Sequence, residues 1–248
     1  MKQIITSVAF LFLAFSLSAQ NDSSNKLGGL FKKANSLFSK NNSSAGGNLS
    51  TSEIVSGLKE ALSLGAQKSS DKLSATNGFF KDAAVKILLP EQVRTVESKM
   101  RMLGLGKMVD NAELSLNRAA EDASKAAAPI FLSAIKKMTV TDAVNILRGS
   151  DTAATSYLRR TTSPELINAF MPVIEESLKK VDATKYWKDV FNTYNKFSSA
   201  PVDTDINSYV TNKALNGIFY YVAQEEVGIR KNPAQRVSDI LKKVFGGN

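Results

Sequence analysis

The 248-residue chain contains no cysteine and no histidine. Without cysteine there is no disulfide, thiolate nucleophile or thiolate metal ligand. Without histidine there is no imidazole acid or base, no ordinary zinc site and no serine-histidine or cysteine-histidine catalytic pair. Any catalysis must therefore run on carboxylates, lysine, tyrosine or a hydroxyl. A protein-bound metal would have to be a hard cation held by oxygen. No metal site and no cofactor is expected. The segment 203–209, "DTDINSY", has two aspartates but lacks the central glycine and terminal glutamate of a calcium loop. "GLGKM", at 104–108, lacks the spacing and hydroxyl of a phosphate-cradling loop and reads as a turn at a helix end. Also missing is sustained period-two alternation, so no sheet is expected.

Long apolar runs are missing too, with one exception. The first twenty residues, "MKQIITSVAFLFLAFSLSAQ", place Lys2 before an apolar stretch from Ile4 to Leu17 and small residues Ser16, Ser18 and Ala19 near its end. This reads as a signal peptide over 1–20, because the run falls short of the roughly 20 apolar residues a membrane-spanning helix needs. The expected location is therefore outside the cytoplasm, periplasmic first, secreted or outer-membrane associated otherwise. No spanning segment is expected after processing. Residues 21–50, rich in Ser, Asn and Gly, read as a flexible leader with one amphipathic patch, "LFKKANSLF". The formal charge of +9 is spread along the chain rather than massed in one block. That spread favours lysines solvating helix faces, with an envelope protein, a lipid or an anionic glycan as the partner to consider. Nucleic acid is not an expected partner.

From 51 to 248 the pattern is helical throughout. Ile54, Val55, Leu58, Ala61, Leu62 and Gly65 share one face. Asn77-Gly78 signals a turn, Pro90 a helix start, and "VKILL" between them an extended entry segment. Leu116, Ala119, Ala120, Ala123, Ala127, Ile130 and Ala134 line a long helix that Pro129 should kink or split. Thr139 and Asp142 have the spacing of a capping box, and Gly149 reads as a helix end. Ser163-Pro164-Glu165 reads as the start of a new helix with a kink at Pro172. The segment around Leu215 to Val222 is apolar on nearly every side and is expected at the centre. Asn232-Pro233 opens a last helix whose apolar side is Val237, Ile240, Leu241 and Val244. The expectation is one all-α domain, a bundle of about eight to ten helices, several kinked at prolines.

Charged residues lie inside these helical patterns. "NRAAEDA" sets Arg118 one turn from Glu121 and Asp122, beside Asn117, and "QEEVGIR" sets Glu226 four residues before Arg230, with Glu225 adjacent. Such spacings favour ion pairs on one helix face. They fit a paired acid and base, a carboxylate cluster for a metal or a glycan, or a structural network that fixes helix register. "GSDTAATSYLRRTT", 149–162, adds Tyr157 and two arginines, Arg159 and Arg160. The arginines suit an anion pocket, or pairing with Glu121 or Glu225, while Ser150 or Asp151 caps the helix. The candidate polar network or ligand site is therefore Asn117, Arg118, Glu121, Tyr157, Arg159, Arg160, Glu225, Glu226 and Arg230, with no catalytic residue assigned.

Taken in order, "GLKEAL", "ILLPEQV", "NRAAEDA", "DAVNILRG", "AATSYLR", "YVTNKALNGIFYYVAQEE", "IRKNPAQR" and "ILKKVF" resemble the bacterial domain-of-unknown-function family numbered 4197, over about Leu49 to Phe245. The resemblance implies an exported, helical, single-domain bacterial protein. It carries over no activity, cofactor or catalytic residue. The expected role is an uncharacterised envelope protein that binds or builds without catalysing. The alternatives are a carboxylate-based hydrolase of envelope glycans and a binder of polyanions or lipid head groups through the basic surface.

Overall fold

A computed structural model of the chain describes residues 50–180, 205–236 and 239–245, together with Trp187, Asn192, Asn195, Lys196 and Pro201. The expected signal peptide and the expected leader up to Leu49, with its amphipathic patch, lie outside the described residues. Among those described, the protein is all-helical with no strand. The α-helices are α1 (Thr51–Ser74), α2 (Arg94–Met102), α3 (Gly106–Ser124), α4 (Ala127–Lys137), α5 (Val140–Arg148), α6 (Ala153–Lys179), α7 (Ile206–Lys231) and α8 (Asp239–Phe245). Single 3-10 turns cover Glu91–Val93 and Pro233–Gln235. Asn232 accepts from the Ala234 N–H in the second turn, and the apolar side expected at Val237, Ile240 and Leu241 lies outside the described side chains.

The core forms where the apolar stripes predict it. On α1, Ile54, Leu58, Ala61, Leu62 and Ala66 are buried. On α3, Ala119, Ala120 and Ala123 are fully buried, so that α6 and α7 approach a face without bulk. Phe79, Phe131, Phe170 and Phe219 fill the centre, with the Phe131 and Phe219 rings edge to face at 5.6 Å. Pro129 does split its helix. α3 stops at Ser124 and α4 starts at Ala127, one turn before the proline, where its ring would strike the backbone. The Ser70 hydroxyl donates to the Ser124 carbonyl at this break, 2.8 Å away.

Three expectations need correction. The first is the helix start at Ser163: α6 runs without interruption through Pro164 and Pro172. Ser163 turns its hydroxyl back onto the Arg159 carbonyl at 2.6 Å, and Thr162 does the same to Leu158 at 2.6 Å. Short hydroxyl side chains in a helix commonly bond this way, and here they keep the turns before Pro164 closed. Leu158, Thr162, Leu166, Phe170, Ile174 and Leu178 are buried at every fourth position. Such a stripe precesses about 40° per step on a helix of 3.6 residues per turn, so successive turns of α6 face different neighbours. α6 packs against α3, α4, α5 and α7 and shares the centre with α7.

The second correction is α7 itself, which keeps an exposed edge at Asn212, Asn216, Tyr220 and Gln224. The third is the last helix: Asn232-Pro233 opens only a single 3-10 turn, Pro233–Gln235, and α8 runs from Asp239. Gly149 is the helix end its place predicts. It ends α5 in extended backbone, φ −78 and ψ −172, rather than in a left-handed cap. Its requirement is space, since an added Cβ would stand 2.5 Å from the Ala153 Cβ.

Two glycines separate space from conformation as reasons for glycine. A Cβ at Gly217 would fall 2.5 Å from the Phe79 ring, whereas Gly104, at φ +80, has nothing within 4 Å. Gly217→Ala is expected to lose about 1–3 kcal/mol to overpacking, offset by roughly 1 kcal/mol of helix propensity. Gly104→Ala should lose about 1–2 kcal/mol, through its left-handed backbone alone. Urea unfolding with Phe79→Leu as a second background tests this. The smaller side chain should reduce the Gly217→Ala penalty and leave that of Gly104→Ala unchanged.

Candidate functional site

The candidate residues do not form one pocket; they form two buried knots and a set of surface contacts. The first knot is on α3. Glu121, 3% exposed, accepts from the Phe79 and Phe80 N–H groups, each at 3.1 Å, and from the Arg118 guanidinium. Arg118 also donates to the Asn77 side-chain oxygen at 2.9 Å. Asn77 has a left-handed φ of 70°, which asparagine tolerates better than most residues. The chain after it makes a helical turn, with the Lys81 N–H on the Asn77 carbonyl. Phe79 and Phe80 thus present the open N–H groups of that turn, and Glu121 fills them from another helix.

Asn117, one turn earlier on α3, serves the irregular segment that follows. Its side-chain oxygen accepts from the Ile87 N–H at 2.8 Å, while its NH2 donates to the Ile87 carbonyl at 2.8 Å and the Glu113 carbonyl at 2.7 Å. The amide does the work of a neighbouring strand for Ile87, in "VKILL", where Val85 still closes a turn on Asp82 and the residues after it are neither helix nor strand. The Tyr209 hydroxyl holds the next carbonyl, Leu88, at 2.8 Å. Burial pushes that hydroxyl above the usual tyrosine range.

The second knot answers the question raised by "GSDTAATSYLRRTT". α6 begins after Thr152, whose side chain makes no capping bond, and neither Ser150 nor Asp151 caps it. Asp151 pairs instead with Lys231. The open N–H groups of Ala154 and Thr155 are bound by Glu226 of α7, at 2.9 and 2.8 Å, and the Thr155 hydroxyl donates to the same carboxylate at 2.8 Å. Arg230, one turn further along α7, places Nε and Nη2 on Glu226 at 3.1 and 2.9 Å. Its Nη2 also reaches the Ile146 carbonyl in the last turn of α5 at 2.9 Å. An anion does bind this helix start, and it is the protein's own carboxylate, favoured there by the N–H groups and the helix dipole.

The remaining candidates lie outside the knots. Arg159 donates to the Asn216 side chain at 3.1 Å and lies 4.4 Å from the centre of the Phe219 ring. Arg160 lies 5.7 Å from the centre of the Tyr157 ring. Burial, then the charge of Asp142, pushes the Tyr157 hydroxyl above its usual range. Among the described residues neither arginine meets a carboxylate, so the expected pairing with Glu121 or Glu225 is not formed. Both guanidiniums sit over aromatic faces, an arrangement that itself stabilises the charge. Glu225 is half-buried and pairs with Lys68 at 3.5 Å.

A match to the family model described as "Protein of unknown function (DUF4197)" covers residues 48–246. The chain belongs to the DUF4197 family. No curated protein and no solved structure matches it. All the residues of both knots fall within the DUF4197 match.

The DUF4197 domain also has a polar cluster that the sequence did not reveal. Lys72 of α1, Asp82 of the following turn and Tyr221 of α7 meet beside an open hollow of about 390 Å³, lined also by Thr76, Asn77 and Lys81. Lys72 lies 3.2 Å from Asp82 and 4.2 Å from the centre of the Tyr221 ring, and the Tyr221 hydroxyl donates to Asp82. No spacing links residues so far apart in sequence. Tyr221 and then Asp82 hold Lys72 above the ordinary lysine range. Burial works against the Asp82 charge, but the Tyr221 hydroxyl, the Ala84 N–H and Lys72 hold its carboxyl below the usual range. Burial and the Asp82 acceptor raise Tyr221.

Glu226→Ala leaves the α6 N–H groups and Arg230 without their acceptor, and is expected to cost about 3–5 kcal/mol. Adding Arg230→Met should cost less than the sum of the single changes, as read from urea midpoints in a double-mutant cycle. For the surface cluster the pH dependence has two limbs. The lowered Asp82 contributes stability above its unfolded value of 3.8, lost as pH falls through its folded value. The raised Lys72 and Tyr221 contribute stability that is complete below their unfolded values of 10.5 and 10.0 and is lost as pH rises through the folded ones. Melting temperature against pH should therefore fall less steeply in Tyr221→Phe than in the parent on the alkaline limb.

Proposed function

We propose that the protein is exported to the bacterial envelope, most simply the periplasm, and has a binding or structural role without catalysis. The observation that carries this reading is the saturation of Glu121 and Glu226, two of the three buried glutamates among the described residues; the third, Glu113, pairs with Lys86 at 3.2 Å. A general acid or base must reach a substrate proton with a free oxygen. Glu226 spends both oxygens on five hydrogen bonds, and Glu121 spends both on two N–H groups and Arg118. Glycan hydrolysis needs two carboxyls flanking an open cleft. The knots offer sealed carboxylates at two helix starts instead, and Glu225 stands apart with Lys68. The first twenty residues support export. Among the described residues no helix is long and apolar enough to cross a membrane.

Cell fractionation and mass spectrometry test both halves of the reading. The expected species is a periplasmic chain whose N-terminus lies near residue 20, with a lipid or protein partner retained in native spectra of material taken from its own envelope. A cytoplasmic chain beginning at Met1 would overturn the compartment. Hydrolysis of envelope glycan that disappears in Glu225→Gln would overturn the non-catalytic role.

A further inference from the structure

Large exposed apolar side chains concentrate at one place. Seven are found among the described residues, and four of them, Met102, Leu103, Leu105 and Met108, lie in or beside the turn between α2 and α3. Met102 is 79% exposed and Leu103 is 76% exposed, values unusual for side chains of this size. Gly104 between them and α3 has a φ of +80 and open space around it, so the turn is a projecting tip. α2 is lightly held, since none of residues 95–102 is buried and its main neighbour is α3.

Charge decides what such a tip fits. Two carboxylates in the hairpin, Glu97 and Asp110, both bind Arg101, at 2.9 and 2.8 Å. Lys99 and Lys107 remain exposed on either side of the apolar tip. A projecting apolar surface needs a concave partner or a fluid one, and flanking lysines favour a surface that carries phosphate. We propose that the α2–α3 tip docks the protein on an anionic lipid bilayer. Met102, Leu103 and Met108 enter the boundary between head groups and acyl chains, and Lys99 and Lys107 lie among the lipid phosphates. This rests on the binding reading above and names its partner.

The test is flotation of the whole purified protein with vesicles of phosphatidylcholine alone or mixed with phosphatidylglycerol, at low and high salt. Binding is expected only with phosphatidylglycerol and should weaken with salt. Met102→Ser with Leu103→Ser should weaken it by roughly tenfold or more. Lys99→Glu with Lys107→Glu should abolish the preference for the anionic lipid. The control Leu132→Ser, at an exposed apolar site elsewhere, should change nothing, and unchanged melting temperatures show that the variants fold. Equal binding to both vesicles, or no binding to either, overturns the proposal. So does a photo-cross-linker at position 103 that captures a second protein in place of lipid. If Phe31→Ser with Phe38→Ser removes binding while the tip variant keeps it, the leader is the anchor. The tip is then excluded, yet the broader binding reading stands. That reading fails separately if native spectra of envelope material show neither lipid nor partner.

Discussion

The protein is organised around a carboxylate placed where a helix begins. Every helix start leaves N–H groups without partners, and most helices satisfy them from the residue just before the first turn. Here α6, which shares the centre of the bundle with α7, takes its acceptor from Glu226 on α7. Burying a carboxylate is costly unless every oxygen is engaged, and the cost is met by the α6 N–H groups, the Thr155 hydroxyl and Arg230. Arg230 also reaches the end of α5, so one ion pair joins the end of one helix, the start of the next and the flank of a third.

Glu121 repeats the device on a smaller scale. It binds the open N–H groups of the turn after Asn77, and its neutralising arginine lies within one turn on the same helix, as for Glu226. Asn117 extends the principle to a segment that is neither helix nor sheet. Irregular backbone between α1 and α2 is thus held by side chains of α3, and Phe79 of that loop can enter the core without leaving its own buried N–H unpaired.

Much of the fold was legible because its signals are local. Apolar spacing placed the buried faces of α1 and α3, Pro129 marked a real break, and Thr139 with Asp142 forms the capping box its spacing implies. The intrahelical pairs Arg118–Glu121 and Glu226–Arg230 were legible for the same reason. Their purpose was not, because the N–H groups they serve lie on other elements. The start of α6 misled for a related reason. Ser163-Pro164 is a good local helix start, and packing along a stripe of fourth residues overrides it. The Lys72, Asp82 and Tyr221 cluster has no local signature at all, since it is made by three elements meeting.

Borrowed caps also set an order of events. The bond from the Ala154 N–H to Glu226 spans 72 residues. A chain that emerges from its N-terminal end lacks the acceptor for the first turn of α6 until most of α7 has followed. Contacts of such long reach are made late, because loop closure must precede them. The earlier part of the chain therefore carries an unfinished helix start, open until the segment that completes it has been made.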